Sequence, residues 1–123
     1  MLRRADAAVL VGRLLLAVLF AVGTWQKLDD PGPTLALLGD RGLPGALYWP
    51  ALAINAVGAA ALALGWAARA AAVGLAVYSM ATSVFHLIPD DPWQISIFVK
   101  NWAIAGGLLV LAAHGPGRYA LRP

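Results

Sequence analysis

The sequence predicts an all-α fold: a polytopic membrane protein built as a bundle of four transmembrane helices, with a short outer-surface helix in the first loop. Three observations predict it. The chain has 123 residues, of which 61% are hydrophobic and only 12% charged, with a mean hydropathy of +0.75; a water-soluble domain carries roughly 25% charged residues. Four apolar runs, at about 7–28, 46–65, 67–88 and 92–113, each approach the roughly 20 residues that a helix needs to cross the hydrocarbon core. The charges then alternate between the gaps. Asp29, Asp30, Asp40, Asp90 and Asp91 follow the first and third runs, whereas Arg3, Arg4, Arg69, Arg118 and Arg122 precede the first, separate the second from the third and follow the fourth.

The first run starts after Arg3-Arg4 and closes on Trp25-Gln26-Lys27-Leu28. Its opening, with Ala21-Val22-Gly23 as a small-residue site, also fits a secretory signal. Continuation through Trp25 and Leu28 favours a retained helix. In the first gap, Asp30-Pro31 reads as an N-cap followed by proline at the first helical position. It opens a short helix over Thr34 to Leu38 that Gly39 ends, with too few apolar residues to span. The second run carries Asn55 near its middle. Gly65 and Arg69 mark a tight turn into the third run, and Asp91-Pro92 caps the fourth. Trp25, Tyr48, Trp49, Trp66, Trp93 and Tyr119 fall near run ends, as an aromatic belt requires. All of this makes one domain, residues 1–123.

Orientation follows from the basic residues. Arg3, Arg4, Arg13, Arg69, Arg118 and Arg122 fall on one side; Lys27, Arg41 and Lys100 fall on the other. The excess predicts that both termini lie in the cytoplasm, with the chain in a bacterial inner membrane.

Several function classes drop out. Cysteine is absent, which removes disulfides, thiolate nucleophiles and cysteine-held metal or iron–sulfur groups within this chain. The net charge of +3 sits at predicted membrane edges without a basic, aromatic-interleaved stripe, so nucleic acid is not an expected partner. His86 and His114 lie at opposite ends of their runs, too far apart to share a haem. The Asp-Asp-Pro pairs read as caps and solvated carboxylates rather than a metal site. No serine has a nucleophile-elbow setting. Neither a catalytic residue nor a metal ligand is expected.

What remains is the polar content of the spans, which is expensive in lipid and therefore informative. Ser79, Thr82, Ser83 and His86 are spaced i, i+3, i+4, i+7, one face of a helix. The stripe either lines an inward polar pocket, the preferred reading, or bonds back to its own helix carbonyls. Lys100 and Asn101 lie on the order of 12 Å below the start of run four. A lysine there needs a carboxylate, a wet cavity or a path along which to snorkel. Gln94 shares a face with Asn101, and Gln26 and Lys27 end the first run on the same side. The candidate ligand-binding set is therefore Gln26, Lys27, Ser79, Thr82, Ser83, His86, Gln94, Lys100 and Asn101, converging on one hollow that opens away from the cytoplasm. Arg13 and Asn55 are further intramembrane polar groups; Arg13 snorkels inward or reaches an acceptor such as Asn55.

These elements together resemble the DoxX family of small four-helix membrane proteins. The resemblance rests on Gly12-Arg13, Gly23 with Gln26-Lys27-Leu28, Gly42-Leu43-Pro44, Leu64-Gly65 with Arg69 and Ala71-Ala72, Phe85-His86, Phe98 with Lys100 and Asn101, Ala105-Gly106-Gly107, and the closing Gly115, Gly117-Arg118 and Leu121. No single piece is specific; their order and spacing are. Family members are similar to the small subunit of a thiosulfate:quinone oxidoreductase, and others are linked to membrane oxidative-stress complexes. Members often carry a glutamate near the position of Asn55, which cannot ionise here.

The resemblance implies a non-catalytic subunit or anchor of a membrane redox complex that interacts with quinone, with no covalently bound cofactor. In that reading His86 hydrogen-bonds a quinone carbonyl, and Lys100 and Asn101 stabilise developing negative charge. The alternative is a binding or transport protein for a lipid or small amphipathic molecule. Expected partners are membrane lipid, an oxidoreductase subunit and further copies of the chain.

Overall fold

The structure is a computed structural model that describes residues 2–122, with side chains from Arg4 to Arg122; the Arg3 side chain of the charge count lies outside the described residues. It is all-helical. Five α-helices follow in order: α1 (Leu2–Asp29), α2 (Gly32–Asp40), α3 (Tyr48–Leu64), α4 (Ala68–Thr82) and α5 (Pro92–His114). Short 3-10 turns at Gly45–Leu47 and Ser83–His86 lead into α3 and out of α4. Four segments are long and apolar enough to cross a membrane: Arg4–Asp29, Gly45–Leu64, Ala68–His86 and Pro92–His114. Both chain termini therefore lie at one end of the bundle and α2 lies at the other.

Packing runs α1 against α3, α3 against α4 and α4 against α5, while α5 touches α1 only lightly. Lipid is as apolar as leucine, so helix association here depends on close steric fit rather than on removal of surface from water. The core shows that fit. Leu62, Ala72, Ala76 and Leu108 are wholly buried, with Ala17, Phe20, Leu75 and Ala105 around them. Gly58 brings α3 against α4: a Cβ added there lies 2.6 Å from Leu75 Cδ2. Among the small residues of the spans, Ala59, Ala72 and Ala76 face inward, whereas Ala56, Ala60, Gly106 and Gly107 face outward.

The helix ends explain themselves locally. Asp91 caps α5, its Oδ1 accepting from the Trp93 and Gln94 amides at 3.0 and 3.4 Å, with Pro92 in the first turn. Asp30 differs from expectation. Its Oδ1 accepts from Gly32 N at 3.0 Å, and Pro31, which has no side-chain cap to give, occupies the cap position of α2. Gly39 does not end α2. The helix continues to Asp40 and stops at Gly42, whose φ of +68° suits only glycine, while the Leu43 amide returns to Leu38 O at 2.9 Å. Gly65, with φ +71°, closes α3 in the same left-handed way.

The terminal end is held by two arginines. Arg13 is 2% exposed. Its guanidinium donates to Pro116 O at 2.6 Å and Tyr119 O at 2.7 Å, with a longer bond to Ala63 O at 3.4 Å. The segment after α5 thus folds back beneath the bundle, where Leu121 N and Arg122 N bond Leu64 O and Gly65 O. Arg69 Nη1 donates to Ala112 O and Ala113 O, two carbonyls left free at the C-terminus of α5. Arg13 reaches toward the terminal end of the bundle, the inward direction expected of it, but it ends buried on backbone carbonyls and does not meet Asn55. A planar fork with five donors saturates several carbonyls at once, and a chain end supplies carbonyls that a single amide would leave unpaired.

Candidate functional site

At the α2 end a groove of about 520 Å³ opens between α2, α3 and the end of α4. Its walls are mainly apolar, with Leu38, Leu47, Ile54 and Phe85 among them, and its polar groups are Lys27, Thr34, Tyr78, Thr82 and His86. Each element delivers one part. The last turn of α1 brings Lys27, α2 brings Thr34, α4 brings Tyr78 and Thr82, and the 3-10 turn brings His86. A second cavity of about 430 Å³ adjoins it, lined by Gly23, Trp25, Gln26, Lys27, Asp29, Asp30, Pro33 and Thr34. Lys27 and Thr34 belong to both walls.

The hydrogen-bond accounting is specific. Tyr48 donates to the backbone Lys27 O at 2.7 Å, which fixes the end of α1 against α3; separately, the Lys27 ammonium has no hydrogen-bond acceptor among the described residues. Tyr48 is thereby buried and leaves the expected aromatic belt, whereas Trp25, Trp49, Trp66, Trp93 and Tyr119 face outward. Tyr78 Oη donates to Asn55 Oδ1 at 3.4 Å. Asn55, 3% exposed, also packs its carboxamide against Gly23 of α1. Thr82 Oγ1 donates to Tyr78 O at 2.8 Å. His86 Nδ1 lies 2.7 Å from Gln94 Oε1.

The expected convergence is partial. Lys27, Thr82 and His86 line the groove, Gln94 stands behind His86, and Gln26 faces the neighbouring cavity. Ser79 and Ser83 are buried away from it. The Ser83 hydroxyl donates to Met80 O at 2.6 Å and accepts from Trp102 Nε1 at 3.1 Å. The hydroxyls of Thr82 and Ser83 are thus spent on their own helix, against the preferred reading of an inward polar stripe. Such back-bonding loosens a helix, and Pro89 disfavours helical geometry just ahead of itself. The helix tightens to 3-10 at Ser83 accordingly, and the four-residue face is lost.

Lys100 and Asn101 do not join the site. Gln94, Asn101, Ala105 and Leu108 mark the inward side of α5, and Lys100 is turned about 100° from Asn101. Lys100 is exposed, with no hydrogen bond among the described residues, and Asn101 is half-buried. Neither lines the groove.

Four contributors were not singled out as site residues from the sequence, among them Thr34, which lines both cavities. Tyr78 had a usable signal: it is a tyrosine in mid-run, away from the interfacial belt. Arg41 spans from the end of α2 to donate to Val84 O at 2.6 Å, with its guanidinium 5.9 Å from the centre of the Phe85 ring. Trp102 reaches Ser83. These two are long-range contacts with no local signature.

Comparisons with known proteins agree on one relationship. A family model described as DoxX matches residues 8–88, well over half of the chain. The inner membrane protein YqjF of Escherichia coli (strain K12) is 31% identical over 117 residues, which cover 94% of this chain and 90% of that protein. No solved structure matches.

Proposed function

The chain belongs to the DoxX family, and from that premise we propose that it is a non-catalytic subunit or anchor of an inner-membrane redox assembly that holds the head of a quinone in the groove at the α2 end. The observation that carries this reading is the groove itself. It joins an apolar trough large enough for a ring and part of a tail to an unpartnered ammonium, Lys27, and a histidine, His86. Ligand sites in membranes take this form: mostly apolar, with a few placed polar groups that orient the head. The absence of cysteine assigns any electron transfer to a partner subunit or to the guest. The distribution of arginine supports cytoplasmic termini, and in that reading the groove faces the periplasmic leaflet.

The test is thermal unfolding of the purified protein in detergent with and without decylubiquinone. Stabilisation that Lys27→Ala abolishes is the expected result. No shift in the parent protein, together with no oxidoreductase in a mild-detergent pull-down, refutes the proposal. The strongly apolar walls also favour a second reading, in which an acyl chain of a phospholipid fills the trough. Native mass spectrometry showing a bound phospholipid lost in His86→Ala but unmoved by decylubiquinone selects that reading instead.

A further inference from the structure

We propose that the groove selects a guest whose head carries a hydroxyl, so that within the quinone class it holds the reduced form, and that Gln94 is the positioning residue that sets this preference. The inference rests on the quinone reading above and deepens it.

The reasoning is a count of what each polar group has left to offer. Gln94 presents a carbonyl oxygen to His86 Nδ1 at 2.7 Å. With the Gln94 amide turned this way its carbonyl oxygen can only accept, which assigns the proton to Nδ1 within this proposal, and a neutral imidazole in that tautomer leaves a bare lone pair on Nε2. The Thr82 hydroxyl proton is committed to Tyr78 O, and the Tyr78 hydroxyl proton points to Asn55 Oδ1. The Thr82 oxygen is left with lone pairs only, whereas the Tyr78 contact is long at 3.4 Å, so its hydroxyl can still turn to a guest. His86, Thr82 and Tyr78 all line the groove. His86 and Thr82 therefore only accept, the Tyr78 and Thr34 hydroxyls can do either, and Lys27 only donates.

A carbonyl-only head satisfies Lys27 but leaves the His86 and Thr82 lone pairs without a donor. A hydroxyl head donates to an acceptor and still accepts from Lys27. Discrimination of this kind is large because a buried polar group left unpaired costs more than a hydrogen bond gains. His86 thus serves as an acceptor, the reverse of the donor role the sequence suggests for it. Gln94 touches no guest; it acts through the imidazole.

Two measurements test this on the full chain in detergent. The first is binding of decylubiquinol and of decylubiquinone under anaerobic conditions. The expected result is quinol tighter by about tenfold, the worth of one hydrogen bond. Gln94→Met, which cannot fix the tautomer, should bring the two affinities toward equality without unfolding the protein. The second needs no ligand: nitrogen-15 shifts of the imidazole in a His114→Gln background, which leaves His86 as the one histidine. They should report the proton on Nδ1 in the parent and a mixture of tautomers in Gln94→Met. Equal affinities, or tighter quinone, refute the selection while the quinone reading stands. A proton found on Nε2 refutes it as well. Binding of neither probe removes the quinone reading and this inference with it.

Discussion

Replacing Arg13 by methionine should release the segment after α5 and destabilise the bundle by about 2–4 kcal/mol. Two short bonds, to Pro116 O at 2.6 Å and Tyr119 O at 2.7 Å, carry most of the effect. Hydrogen bonds from a charged donor are worth about 1.5–3 kcal/mol each, giving about 3–6 kcal/mol for the pair. The 3.4 Å bond to Ala63 O adds little. The loss is then reduced, because Pro116 is half-buried and Tyr119 exposed, so their freed carbonyls regain water. Removing the guanidinium also removes a buried Nε that has no partner, which offsets a further part. Arg13→Lys should recover about half at most, since one ammonium cannot present two parallel donors. The assay is reversible unfolding in mixed micelles by titration with sodium dodecyl sulfate, paired with trypsin cleavage after Arg118. Faster cleavage at Arg118 should accompany the loss of stability. If Arg13→Met unfolds within about 1 kcal/mol of the parent and Arg118 is cut at the parent rate, the guanidinium is not what holds this segment.

Three further outcomes follow from contacts described above. Gly58→Val should cost about 1–3 kcal/mol by forcing α3 off α4, and Leu75→Ala should restore part of it; additive losses in the double variant rule out the close approach as the cause. Asp91→Ala should cost about 1 kcal/mol through the lost cap of α5, read in the same titration, whereas Asp90→Ala should be silent. Arg41→Ala removes the tie between α2 and Val84 O, so hydrogen exchange of the α2 amides should rise severalfold while exchange in α3 stays unchanged; equal protection in both variants shows that the tie is not what holds α2.

The spans were legible because their signal is additive. About 20 apolar residues in a row outweigh any local preference, so errors of one to three residues at the span ends did no harm. The cap at Asp91 was equally legible, since side chain, proline and run begin within four positions. The end of α2 was not. Both Gly39 and Gly42 can stop a helix, and the choice fell to Gly42, where Leu43 returns its amide to Leu38. The candidate site was half legible. Lys27 and His86 were found from charge and polarity alone, but their grouping with Lys100 assumed that every polar residue at one depth faces one hollow. Rotation of α5 about its own axis decides that question, and rotation is set by which small residues pack, a long-range property. The destination of Arg13 lies 103 and 106 residues away at Pro116 and Tyr119, beyond the reach of any local pattern.

That separation has a consequence for biogenesis. A guanidinium in the first span enters the bilayer early, and an arginine within a lone inserted helix is penalised, by about 2.5–3.5 kcal/mol at the very centre and by less toward the edge where Arg13 lies. The acceptors that quench it emerge from the ribosome only after all four spans have been made. The nascent protein thus carries an open polar defect until residues 116–119 arrive, and a chain broken off after His114 would display that defect permanently to whatever machinery surveys misassembled membrane proteins.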